Sequence, residues 1–384
     1  MLSEKQNNFL RSNKNLPTPF QIIDLDMVAE QYKKFTTALP FCDIYYAVKS
    51  NANNDVIKTL IPLGSHFDTA SIEEIKQVLA LGADVKKLSF GTTIKKSSAI
   101  AESLALGIKL FVVDCDMELE KIAHEVAESG MDDVGIYCRM LHDGKDAGYP
   151  LNHKFGTTIK ETIAILKKTK DVGLIPRGVS FHVGSQAKTA TPWIDALKDV
   201  KKIFTALAEQ DIMLDMINLG GGFPGHYRNS HDVESIEKIS ADISTAVKNL
   251  FADKKINYLI EPGRGMVSHA AVSVAEVILK SHKKNSGEWL YLDLGTYNGM
   301  FEAVDATIEH NIAPLFPIEG DTEPMILAGP TCDSGDCFYN KKTYDLPKNI
   351  KSGDRLIIFS TGSYSANIAS TDFNGFRPID VYSL

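Results

Sequence analysis

Lys49 closes an otherwise apolar run, Asp43 to Lys49 (DIYYAVK). A lysine at the end of a buried strand can be partly desolvated, which favours the neutral, nucleophilic amine that attacks a carbonyl to form a Schiff base. A snorkelling surface lysine is the plainer alternative for that residue taken by itself. Glu261 stands at an apolar-to-polar step (LIEPGR), where a carboxylate can hold a proton on a heterocyclic nitrogen, and His182, in FHVGS, can stack on a ring or hydrogen-bond to it. Each is also an ordinary residue for the edge of a core. Gly220 to Gly225 (GGGFPG) has the formal spacing of a dinucleotide fingerprint. A dinucleotide loop must open a helix at once, whereas here Pro224 and the polar stretch HYRNSHD delay the next helix until about Val233. Backbone N–H groups of such a loop, Gly221 and Gly222 included, suit a phosphate, and Gly263 and Arg264 repeat the theme further on. A glycine turn without a ligand is the alternative.

These residues recur at the ends of short segments rich in β-branched and aromatic side chains. After Asp43 to Lys49 come Gly64 to Thr69, Lys87 to Thr92, Ile108 to Asp114, Val134 to Arg139, Gly178 to Ser185, Met216 to Gly222 and Asn257 to Arg264. Helix-like stretches such as Ser71 to Leu81 and Pro192 to Gln210 lie between them, so strand and helix alternate eight times and an α/β fold, a (β/α)8 barrel, is expected. Chemistry in that architecture sits at the C-terminal ends of the strands, which here present Lys49, Asp68, Arg139, His182, Ser185, the glycines and Glu261. After Arg264 the segments Ala270 to Leu279, Trp289 to Leu294, Met325 to Ala328 and Arg355 to Ser360 follow with few long helices between them. The expectation is a barrel over residues 27–265 and a β-rich domain built from residues 1–26 and 266–384, with Thr18 to Asp26 pairing into the latter. The apolar ending, Phe373 to Leu384, should pack. A Schiff-base lysine, a ring-compatible histidine, a ring-facing carboxylate and a phosphate loop together fit pyridoxal 5′-phosphate.

The 384 residues are 44% hydrophobic and 23% charged, enough for a large core and two domains. No apolar run approaches the roughly 20 residues of a membrane span, and the first residues lack the apolar centre of a signal peptide, so a cytoplasmic location is the default expectation. A net charge of −8 without a basic cluster argues against nucleic acid or an anionic membrane as partner. The five cysteines have no metal-ligand spacing. Cys42, Cys115 and Cys138 lie in or beside strand-like segments and are expected to pack as small hydrophobes. Cys332 and Cys337 stand in polar, glycine-rich surroundings (GPTCDSGDC).

Taken as a set, YYAVKSN, FDTAS, FGTTIKK, FHVGSQ, LGGGFPG, EPGRG, AGPTCDSGD, STGSYS and the closing FNGF resemble the fold III pyridoxal-phosphate amino-acid decarboxylases, and most of all the short bacterial members of the ornithine and lysine decarboxylase group. The likeness runs from about Thr18 to Leu384. It implies an alanine-racemase-type barrel followed by a β-domain. It also implies that Lys49 holds the cofactor as a Schiff base, that Glu261 pairs with the pyridine nitrogen and that His182 stacks on the ring. Ser185, Gly221, Gly222, Gly263, Arg264 and Tyr364 would hold the phosphate, and Asp68, Glu74 and Arg139 would line and brace the site. The resemblance further implies a head-to-tail homodimer in which Cys332, the proton donor, and Asp333, a substrate contact, reach the partner's site.

The expected reaction is decarboxylation of L-ornithine to putrescine, as in polyamine biosynthesis. The product's distal ammonium calls for a carboxylate besides Asp333. Asp305 is favoured over Glu302, although ungapped counting against eukaryotic members puts Ala306 at that position. Lysine is longer by one methylene, a difference worth about 1–3 kcal/mol in a pocket, so dual activity is open. Diaminopimelate decarboxylases typically carry CES where this chain has CDS. A non-catalytic, partner-binding relative would have lost cofactor residues that are all present here.

Overall fold

In the computed structural model, which describes residues 2–145, 147–151, 153–252, 254–306, 308–339 and 342–384 with the side chains of 305 and 306 left aside, the chain divides into two compact units. One comprises residues 29–224 and 232–263, the other residues 1–28, 225–231 and 264–384. Residues 225–231, read from sequence as part of the barrel, group with the β-rich unit.

The first unit is a closed barrel of eight parallel strands in chain order: Cys42–Ala47, His66–Thr69, Leu88–Phe90, Leu110–Val113, Gly135–Arg139, Ile175–Ser180, Met216–Asn218 and Asn257–Ile260, with the last pairing back to the first through Tyr258↔Cys42. Side chains alternate across each strand, so Tyr45, Val112, Tyr137, Met216 and Leu259 meet as one cluster while their neighbours Ile44, Tyr46, Phe111 and Ile136 are equally buried on the other face. Burial on both faces is why these strands read as apolar runs rather than alternating ones. Four of the connecting helices start at side-chain caps: Asn53, Ser71, Thr158 and Ser235 each accept a backbone N–H of the first turn, worth about 1 kcal/mol apiece. The helix after the glycine loop begins at Ile236, close to the expected place.

The second unit is a nine-stranded sheet whose long strand Ala271–Lys283 pairs with Phe20–Ile23, Gly287–Leu292 and Arg355–Phe359. Its core gathers Val277, Leu290, Leu292, Met325, Leu327, Phe338, Leu356 and Ile358. The C-terminal segment packs only in part: Asp380–Ser383 lies parallel to Phe20–Ile23, but residues 371–375 are exposed, because a turn at Asn374, with φ of 53°, leads the chain away before Ile379 is buried. Cys115 also departs from expectation. It is exposed, since it caps the helix Asp116–Ser129 instead of belonging to the strand before it, whereas Cys138 is buried. Among the described residues no helix is long and apolar enough to cross a membrane, and no three metal-ligating side chains cluster.

Candidate active site

The first barrel strand stops at Ala47, and a single 3-10 turn, Val48–Ser50, carries Lys49 over the strand end. Ser50 Oγ donates to the Ala47 carbonyl at 2.8 Å and Tyr46 donates its hydroxyl to Asn51 O at 2.8 Å, which fixes the turn. Lys49 Nζ meets Asp68 Oδ2 at 3.0 Å, with the lysine side chain 44% exposed and Asp68 1% exposed. The amine is thus only partly desolvated, and the next strand, in register with Ala47↔Asp68, delivers an opposite charge to it that the apolar strand alone does not show. Asp68 is itself held by Ser89 Oγ at 3.1 Å, and it occupies space beside Gly91, where a Cβ would come 1.6 Å from Asp68 Oδ1.

Glu261 follows the eighth strand. Its Oε1 accepts from Asn218 Nδ2 at 2.5 Å, and its backbone N–H bonds the Gly220 carbonyl at 2.9 Å. Burial, then the Asp68 charge, push its carboxyl up to about 7, against the opposing pull of Lys49 and Asn218. His182 follows the sixth strand. Burial foremost, then the cationic neighbours Arg139 and Lys49, hold its imidazole well below the usual histidine range, so the ring is neutral at pH 7. Its Nδ1 accepts the Gly184 N–H at 3.0 Å, which places the ring proton on Nε2.

Gly221 separates these two groups. A Cβ there would stand 3.1 Å from His182 Nε2 and 2.9 Å from the Glu261 carbonyl. Gly222 has φ of 102° and would clash with Val183, Gly184 and Trp193, so only glycine can turn the loop here. Glu74 caps its own helix region through Ala70 N at 2.7 Å, and burial raises its carboxyl, with Lys49 and Asp68 acting on it. Arg139 ends the fifth strand over the Phe155 ring at 5.5 Å, and burial lowers its guanidinium. Ser185 opens the short strand Ser185–Ala187, which pairs with Ala147–Tyr149. Lys49, Asp68, Glu74, Arg139, His182, Glu261 and the glycine loop thus share the barrel unit.

In the β-rich unit Arg264 begins the short helix Arg264–Val267 directly after Gly263 and is 5% exposed. Its Nη1 and Nη2 donate to separate oxygens of Glu302 at 2.7 and 2.5 Å, and Nη1 also donates to Tyr227 Oη at 3.1 Å. Its guanidinium carbon lies 5.0 Å from the Tyr364 ring centre. Tyr364 adopts φ of 52°. Glu302, the lesser candidate for the substrate's distal amine, is thereby engaged with an arginine. The side chain of Asp305 lies outside the described residues.

Cys332 and Asp333 are exposed on a loop pinned from beneath by Asp336, which is 3% exposed. Asp336 Oδ1 accepts from the N–H and hydroxyl of Thr296 at 2.8 and 3.0 Å, and Oδ2 from the N–H and hydroxyl of Thr331 at 3.0 and 2.8 Å. Asn374 Oδ1 takes the Cys332 N–H at 2.9 Å, which gives the closing FNGF segment a task at this loop. Asp336, Asn218 and Gly91 were not singled out as site-builders from sequence, and Glu302 was weighed only for the substrate's distal amine. The second aspartate of CDSGD was the one available signal.

Residues 25–268 match the family model described as the pyridoxal-binding domain of pyridoxal-dependent decarboxylases. The chain is 31% identical to a lysine/ornithine decarboxylase of Selenomonas ruminantium, over 98% of this chain and 91% of that one. It is 32% identical to an ornithine decarboxylase of Caenorhabditis elegans, over 94% and 86% respectively. It superposes on the crystal structure of a Vibrio vulnificus lysine/ornithine decarboxylase complexed with putrescine, with a TM-score of 0.87, 28% identity and coverage of 100% of this chain and 99% of that one.

The residues present fit the cofactor this family uses. A carboxyl held near 7 at Glu261 is one whose ionisation a cationic ring nitrogen would restore, and at Gly221 the absent Cβ lets the loop backbone lie close against the neutral His182 ring and the Glu261 backbone carbonyl. The half-exposed Lys49 amine can be reached by a carbonyl. With a family model covering most of the barrel and relatives matching nearly end to end, the chain belongs to the pyridoxal-dependent amino-acid decarboxylases of fold III and is a carboxy-lyase that uses pyridoxal 5′-phosphate.

Proposed function

We propose that this enzyme decarboxylates L-ornithine to putrescine and carbon dioxide, with L-lysine as a second substrate. The observation that carries this reading is the barrel mouth, where a half-exposed Lys49 amine engaged by Asp68 shares a site with the buried Glu261 carboxyl. Bound pyridoxal phosphate supplies the electron sink for the pair left behind by carbon dioxide. Lys49 provides the amine that carries the cofactor and gives way to the substrate amine. Glu261 would hold the proton on the ring nitrogen, and the neutral His182 ring would lie against the cofactor without adding charge. Ser185, Gly221, Gly222, Gly263, Arg264 and Tyr364 bind the phosphate.

Cys332 returns a proton to the substrate carbon, and Asp333 with Asp305 receives the distal ammonium. Both Cys332 and Asp333 stand exposed on one chain, which suits a homodimer whose loop serves the partner's site. Dual specificity is favoured by the Selenomonas and Vibrio relatives, both named for lysine and ornithine, and by the small discrimination a single methylene allows, about 1–3 kcal/mol.

Carbon dioxide release from L-ornithine, L-lysine, L-arginine and meso-diaminopimelate at equal concentrations tests the proposal. Ornithine should lead, with lysine next. Activity on arginine or diaminopimelate alone would remove the diamine reading, and a Cys332→Ala variant with normal rate and product would remove that residue from the reaction.

A further inference from the structure

We infer that Glu302 is a positioning residue for the cofactor phosphate: it fixes the guanidinium of Arg264 by a part-buried fork-to-fork ion pair and ties that arginine to the short turn that carries Asp305. The inference rests on the reading that Arg264 binds phosphate.

Arginine presents its donors in a rigid planar fork, so two parallel bonds to one carboxylate set the direction of every other N–H it carries. Here Nη1 and Nη2 reach opposite oxygens of Glu302, Tyr227 Oη takes a further Nη1 bond, and the rings of Tyr227 and Tyr364 lie 5.8 and 5.0 Å from the guanidinium carbon. The guanidinium is thus held on an edge and walled by two aromatic rings, and its charge is maintained against burial by Tyr227, Glu302 and Tyr364. A surface arginine reaching for phosphate would have to be ordered on binding. This one is ordered beforehand, and the ordering group is Glu302.

Glu302 sits on the 3-10 segment Phe301–Ala306, three residues before Asp305. The ion pair therefore joins the residue assigned to the cofactor phosphate with the segment assigned to the distal end of the substrate. A carboxylate on that arginine could instead be a stand-in that phosphate must displace. The two roles predict opposite signs: loss of a positioner weakens phosphate binding, and loss of a competitor strengthens it.

Absorbance titrations of the full-length, cofactor-stripped protein with pyridoxal phosphate and with pyridoxal, which lacks the phosphate, separate them. For Glu302→Gln the affinity for pyridoxal phosphate should fall about tenfold, the usual scale for losing an outer partner of a ligand-binding group, while pyridoxal affinity stays the same. Glu302→Asp keeps the charge but shortens its reach and should give a smaller loss, which keeps the test usable if the glutamine variant folds poorly. An unchanged or increased preference for pyridoxal phosphate over pyridoxal in the variants overturns the inference alone. A wild-type protein with no such preference overturns the phosphate reading of Arg264, and the inference with it.

Discussion

The barrel mouth and the β-rich unit hold their charged groups in contrasting ways. In the barrel, Lys49 is 44% exposed and is tied by one oxygen of Asp68. In the β-rich unit, Arg264 is 5% exposed with both oxygens of Glu302 on its fork, and Asp336 is 3% exposed with four donors on its two oxygens. A buried, multiply bonded charge is costly to move, because any partner removed leaves an uncompensated ion. A half-exposed amine in an ion pair open to water can change partners at little cost. On the proposed roles, the group that must exchange partners during turnover is loosely held, and the groups that only place something are locked.

Breaking the loose side should cost the most. Lys49→Ala removes the amine itself, and turnover should fall on the order of 10⁴-fold or more, as deletion of a covalent nucleophile does, with loss of the Schiff-base absorbance band. The assay is carbon dioxide release under cofactor excess. Retained turnover would move the covalent role to another lysine. On the locked side, Asp336→Asn puts an amide donor against two donors and frees the loop that carries Cys332 and Asp333. Misplacing a reacting group by about 1 Å costs up to about 10²-fold, so kcat should drop by that order while the cofactor band stays intact. An unchanged kcat would show that the loop needs no anchor.

A third variant makes the loose side looser. Gly91→Ala drives a Cβ into the space of Asp68 Oδ1, at 1.6 Å, so Asp68 must turn away from Lys49. Overpacking of this kind costs about 1–3 kcal/mol, measurable by urea unfolding, and the activity loss should be smaller than for Asp336→Asn because only a partner of the amine is moved and the loop carrying Cys332 keeps its place. Wild-type stability in this variant would mean that the barrel mouth yields more than its hydrogen bonds suggest.

The same contrast explains what could be read from sequence. Lys49, Asp68, His182 and Glu261 were legible because a barrel presents its chemistry at strand ends, and strand ends show as apolar-to-polar steps. Their partners were not. Asn218 bonds Glu261 across 43 positions and Arg264 finds Glu302 across 38, separations that no local periodicity encodes. The setting of Lys49 was half legible for that reason: the apolar strand foretells a partly desolvated amine but says nothing of Asp68, which arrives through the register of the neighbouring strand. Arg264 was read from sequence as a phosphate-binding residue after Gly263, yet its fork is set by a glutamate that sequence weighed only for the substrate's distal amine.

Glu261 offers the finest test, since it is part-buried and its raised carboxyl sets it with the locked groups, yet it has a single neutral side-chain partner, Asn218, on its acceptor oxygen. In the cofactor-free protein its carboxyl is raised from 4.5 to about 7, chiefly by burial. A raised acid favours the folded state while protonated, so its contribution is full below about pH 4.5, where both states hold the proton. It is then lost as pH rises, because the unfolded chain ionises first, until the folded group also ionises near 7. Glu261→Gln mimics the protonated acid at every pH. The melting temperature of the cofactor-free variant should therefore pull ahead of wild type between pH 4.5 and 7 and stay ahead by a constant margin above it, on the order of 2–4 °C. Added pyridoxal phosphate should shrink that margin in wild type by giving the carboxylate a cation to face. Parallel melting curves across this window would place Glu261 in a wetter site than its burial indicates, and would move it from the locked side of the comparison to the loose one.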